Sequence, residues 1–175
     1  EVLKALHGHQ KNHAEIVRGW LWAGQQEECT QIQRSMFGLF RYLELTNQTA
    51  EGKALFGMVI AAANDPTAIW LQVAQCHFLR RLAEHDQASK RLAELLTMIS
   101  PAYSEWDEWD ESYHHVSHHV TAAPSITPLG THTFALSVLG WVYYEQGNYA
   151  AAHNCFAMAH VQAEASADQA QVMET

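Results

Sequence analysis

The sequence predicts an all-α fold built from a row of antiparallel helix pairs, and three observations carry that expectation. In LSVLGWVYYEQGNYAAAHNCFAMA, residues 136–159, Leu136, Leu139, Gly140 and Tyr143 fall at the i, i+3, i+4, i+7 spacing of one helix face. Gln146-Gly147-Asn148 then breaks the helix, and Ala152, Phe156 and Ala159 mark one face of a second helix, with Tyr149 placed to wedge between the two. The same succession of faces and breaks recurs upstream, with altered residues, at about 33–66 and 67–100.

Taken in order, residues 1–32 supply a leading element. Leu3, Leu6, Ile16, Val17, Trp20 and Leu21 form an apolar stripe, interrupted by Gly8 and the polar run His9–Asn12, and Gly24-Gln25-Gln26 ends that helix. A second helix over Glu27–Leu45 carries Ile32, Met36, Leu39, Phe40 and Leu43 on one face, and a third follows Asn47-Gln48 with Ala50, Leu55, Phe56 and Val59. With Phe40 set on Gly140, Met36, Leu39 and Leu43 fall on Leu136, Leu139 and Tyr143, and Phe56 falls on Phe156; Gly52 replaces Ala152. Asn64-Asp65-Pro66 stops one helix and starts the next, since proline suits a first helical turn. Leu71, Ala74 and Phe78 line that helix, and after a break at Glu84-His85-Asp86 come Ala88, Leu92, Leu95 and Leu96. Residues 101–132 lose the rhythm: Pro101, Pro124 and Pro128 punctuate an irregular insertion containing YSEWDEWDESYHHVSHHV. The clear pair spans 133–166, and 167–175 begins a further helix or a cap.

Composition narrows the function classes. A hydrophobic content of 48% over 175 residues suits a packed protein of about five hairpins. A net charge of −9, with 12 histidines left out, gives no general attraction to phosphate backbones, so no nucleic-acid contact is expected. Cys29, Cys76 and Cys155 are odd in number and scattered, which fits free thiols in a reducing, cytoplasmic setting. The longest apolar run, Ala54–Ala63, is too short to cross a bilayer, and no membrane association is expected.

The series apolar, Leu-Gly, Tyr, Ala, Phe and Ala resembles the tetratricopeptide repeat (TPR), a 34-residue helix–turn–helix, at every signature place except the opening Trp, where Leu136 stands. That resemblance implies a right-handed superhelical stack, a TPR-like α-solenoid, whose first helices line a concave protein-binding groove. Carried onto this chain, the groove comprises Phe134, Ser137, Trp141, Tyr144 and Glu145 in the clear repeat. In the earlier ones it comprises Arg34, Phe37, Arg41 and Glu44, then Gln72, Cys76 and Arg80. Two further stretches, NHAEIVRGWLWAGQQEE at 12–28 and GLFRYLELTNQTAEGKALF at 38–56, are similar to the helical-repeat region of bacterial NB-ARC/STAND-type signalling ATPases and transcriptional regulators. The implied role is a sensor or docking arm, whose partner is a protein or peptide, a second copy, or other domains of a parent chain. No GxxxxGK[ST] phosphate loop occurs in these residues, so the ATPase itself is not among them. The chain opens on Glu1 and closes on a helical tail, and a piece of a longer protein is the expectation.

No catalytic constellation stands out: no serine sits in a GxSxG turn, and Cys155 reads as a small buried residue beside Phe156. No enzyme activity and no cofactor are expected. Trp141 and Tyr144, with arginine nearby, are residue types enriched at binding hot spots; the alternative is that Trp141 packs against the insertion or a neighbouring repeat. A competing function, a metal- or small-ligand-binding sensor, would use His114, His115, His118 and His119, two i, i+4 pairs downstream of Asp107, Glu108, Asp110 and Glu111. Two adjacent pairs cannot all face one ion, and a solvated surface segment is the stronger reading. Trp106 and Trp109 fit either an acidic-aromatic docking segment or packing over the repeats, with packing the stronger reading.

Overall fold

The computed structural model describes residues 13–63, 65–99 and 128–173, and among these every regular element is helical. In chain order these are α1 (His13–Gln25), α2 (Cys29–Leu45), α3 (Thr49–Val59) continued by a 3-10 turn at Ile60–Ala62, and α4 (Asp65–Arg81). Then come α5 (His85–Ile99), α6 (Pro128–Glu145) and α7 (Tyr149–Met173). The chain forms two compact units, residues 1–78 and 79–175, divided within α4. The first twelve residues and residues 100–127, which hold Trp106, Trp109 and the four insertion histidines, lie outside the described residues.

Four tight turns share one geometry. Glu27, Asn47, Ala83 and Gly147 each take a left-handed backbone, with φ between 55° at Glu27 and 78° at Gly147. The next residue in each case donates its N–H five residues back: Glu28 to Ala23 at 2.9 Å, Gln48 to Leu43 at 2.9 Å, Glu84 to Leu79 at 3.0 Å and Asn148 to Tyr143 at 2.8 Å. These bonds satisfy carbonyls that a helix end leaves open. That same residue then accepts the first bond of the next helix, from Ile32, Gly52, Ala88 and Ala152 respectively. The third turn falls at Leu82–Glu84, two residues before the break expected at Glu84-His85-Asp86. His85 and Asp86 instead open α5, where a carboxylate is favourable in the first turn.

In the first unit α1 packs on α2 and α3, and α2 packs on α3. Phe56 is fully buried at the centre of a ring cluster, 5.5 Å from Trp20, 6.2 Å from Phe40, 6.2 Å from Trp70 and 5.8 Å from Phe78. The Trp20 indole N–H donates to the Leu55 carbonyl at 3.1 Å, which ties α1 to α3. Phe40 is buried and stands edge-on to Phe56, filling space with a ring, while Gly52 leaves room for the ring of Phe78. Ala50, expected on the packed face, is exposed because α3 turns Gly52, Leu55, Phe56 and Val59 inward instead.

In the second unit α6 packs on α5 and α7. Its core draws Ala135, Leu136, Val138, Leu139 and Val142 from α6, Ala88, Leu92, Leu95 and Ile99 from α5, and Ala152, Cys155 and Ala159 from α7. α6 starts at Pro128, so the last residues assigned to the insertion are helical. α7 runs unbroken to Met173, and no new helix starts at Ala167; the stretch has no glycine or proline and is rich in alanine and glutamine, which favour helix. Tyr149 does not wedge between α6 and α7. It opens α7 on the outside of the turn and is 64% exposed.

Candidate docking site

Along α6, Phe134, Ser137, Trp141 and Tyr144 follow one another at steps of three and four, which places them on one strip of the helix. The inner side of α6 is already filled by Ala135, Leu139 and Val142, so Trp141 and Tyr144 project outward, 48% and 52% exposed. Phe134 is half-buried, and the Ser137 hydroxyl donates to the Thr133 carbonyl at 2.9 Å rather than pointing to a ligand. Trp141 meets Phe156 at 5.4 Å and Tyr144 at 5.7 Å, and Tyr144 meets Tyr149 at 5.4 Å, all edge-on. The edge-to-face geometry brings the positive ring edge to the negative ring face and holds the rings as a ladder. That ladder runs from the last turns of α6 to the first residue of α7.

A charged group closes one side of it. Arg80, near the end of α4, pairs with Glu145, and its guanidinium carbon lies 5.9 Å from the centre of the Trp141 ring. The other carboxylate oxygen of Glu145 is 3.5 Å from Nδ1 of His85. Gln146 donates to Asp86 at 3.2 Å, joining the turn after α6 to the start of α5. Four expected groove residues, Arg80, Trp141, Tyr144 and Glu145, are therefore brought together within the second unit. Tyr149 and His85 belong to the same surface and were missed. Tyr149 had a legible signal, an aromatic directly after the turn, whereas His85 read only as a turn residue.

The first unit holds the others. Arg34 is exposed, and Phe37 is half-buried edge-on against Trp70 at 4.6 Å. Arg41 is exposed and paired with Glu44, whose second oxygen lies 3.6 Å from Nε2 of His77. Gln72 is half-buried. Cys76, expected in the groove, is fully buried and lines nothing. A constellation that the sequence did not reveal joins α1 to α3: His13 Nε2 is 3.0 Å from Glu51 Oε1, and its ring is 5.6 Å from that of Tyr42. Burial, and then the Glu51 charge, push the Tyr42 phenol above its ordinary pKa.

Among the described residues no group of three or more His, Cys, Asp or Glu side chains is placed to hold a metal ion, and no helix is long and apolar enough to cross a membrane. No protein-family model matches the chain, nor does any curated protein or solved structure.

Proposed function

We propose that this chain is a non-catalytic docking module that takes a protein or peptide partner on the aromatic face of α6. The observation that carries this reading is the ladder of exposed Trp141, Tyr144 and Tyr149 rings beside the Arg80–Glu145 pair. Tryptophan, tyrosine and arginine are enriched among the few residues that carry most of the energy at protein interfaces, and the two ring types bury much apolar area with few torsions to freeze. A TPR-like, right-handed stack of helix pairs is supported by the shared turn geometry and by small residues packed against rings, Gly140 on Phe156 and Gly52 on Phe78. In a longer parent protein the module would be a sensor or scaffold arm of a cytoplasmic signalling or transcription-regulating ATPase. Such an arm acts by binding its partner better in one state of the switch than in the other.

The test is a pull-down from native lysate with the wild-type chain and with Trp141→Ala/Tyr144→Ala, run with and without chelator. A partner lost in the double variant and indifferent to chelator supports docking on α6. Binding that survives the double variant and vanishes with chelator moves the site to His114–His119.

A further inference from the structure

All ten lysines and arginines of the chain lie at or before Arg91, and ten of its nineteen carboxylates follow it. Helices α6 and α7 therefore carry an aromatic ladder with no lysine or arginine of their own. The guanidinium at that ladder is Arg80, delivered from α4. It shows what the surface accepts: a planar cation set over an indole, with its charge answered by the Glu145 carboxylate.

We propose that the occupant of this face is a basic peptide segment of a partner protein, held by arginine side chains laid on Tyr144 and Tyr149 as Arg80 lies on Trp141. The proposal deepens the docking reading and rests on it. Tyr144 and Tyr149 are 52% and 64% exposed, next to one another and near Glu145. The negative face of an exposed ring attracts a cation, and a guanidinium also stacks flat on it. An acidic peptide would meet Asp86 on a chain of net charge −9, and Arg80 and Glu145 neutralise one another. A second copy brings the same net charge and is repelled at long range.

The probes are three fluorescein-labelled peptides in one Gly-Ser frame, bearing arginines, glutamines or glutamates at the same places, titrated with the full chain at low and high salt. The arginine peptide should bind about tenfold more tightly than the glutamine peptide, and the glutamate peptide weakest of all. Tyr144→Ala/Tyr149→Ala should lose most of that preference, while Tyr144→Phe/Tyr149→Phe, which keeps the rings, should retain it; circular dichroism confirms that each variant is folded. Equal binding of the arginine and glutamine peptides overturns the proposal, as does an arginine preference unchanged in the double alanine variant. A dimer in gel filtration that Tyr144→Ala/Tyr149→Ala abolishes would make the occupant a second copy and also overturn it. If no peptide binds but the pull-down partner is still lost in Trp141→Ala/Tyr144→Ala, docking stands and the basic ligand falls. If that partner is also missing, both fall.

Discussion

The ring of Phe156 sits so close to the backbone of Gly140 that a Cβ on residue 140 would lie 2.7 Å from it. Phe78 stands in the same relation to Gly52, whereas a Cβ on Gly38 would meet nothing within 4 Å. The same substitution should therefore change sign with position. Gly52→Ala is expected to destabilise by about 1–3 kcal/mol, because Phe78 is fully buried and has nowhere to move. Gly140→Ala should cost less, since Phe156 is only half-buried and its ring can tilt. Gly38→Ala should stabilise by about 0.5–1 kcal/mol, through helix propensity alone. Urea denaturation of the three variants measures all of this.

Trp20 contributes both a ring and a donor to the first unit. Trp20→Phe keeps most of the ring and removes the N–H that Leu55 accepts, at an expected cost of about 1 kcal/mol. Trp20→Ala should cost about 3–5 kcal/mol. Amide exchange should then rise across His13–Gln25 before it rises in α2, since α1 would lose its anchor.

Tyr42 ties stability to alkaline pH. Its folded pKa lies above the ordinary value of 10.0, so the unfolded chain loses this proton first as pH rises. The contribution of Tyr42 is fully present below pH 10 and is lost as pH climbs through the folded value. Denaturation midpoints of wild type should fall above pH 10, and Tyr42→Phe should flatten that fall. An unchanged slope in the variant would remove Tyr42 as its cause.

The thiols should react in a fixed order. Cys29 is half-buried, while Cys76 and Cys155 are buried, and burial pushes the Cys155 thiol above its ordinary pKa. Titration with a thiol-reactive chromophore at neutral pH should label Cys29 first, with the other two reacting at the rate of unfolding.

Helix identity was legible in the sequence wherever punctuation was explicit. Gly24-Gln25-Gln26, Asn47-Gln48, Asp65-Pro66 and Gln146-Gly147-Asn148 all lie at observed helix boundaries. The turn at Ala83 was misplaced because alanine carries no signal for a left-handed backbone. Cys76, expected as a groove wall, is core for another reason: α4 is covered on most sides, with Trp70, Val73 and Cys76 buried along with the expected Leu71, Ala74 and Phe78. Trp141 and Tyr144 were legible as outward residues, because Leu139, Gly140 and Tyr143 already accounted for an inner face. Arg80 was named, but its pairing with Glu145 was not, since 65 residues separate them and only the packed fold brings them together.

Three of the four left-handed turn residues, Glu27, Asn47 and Ala83, are not glycine. A side chain there costs about 1–2 kcal/mol, least for asparagine, and persists only where the surroundings impose the conformation. The helices thus dictate these turns, and the residues within the turns do little to shape the fold. Selection acting on the fold has correspondingly little hold on segments such as Leu82–Glu84. In related chains these are the places where residue type should drift first, while the length of each turn stays fixed by the bonds that close one helix and open the next.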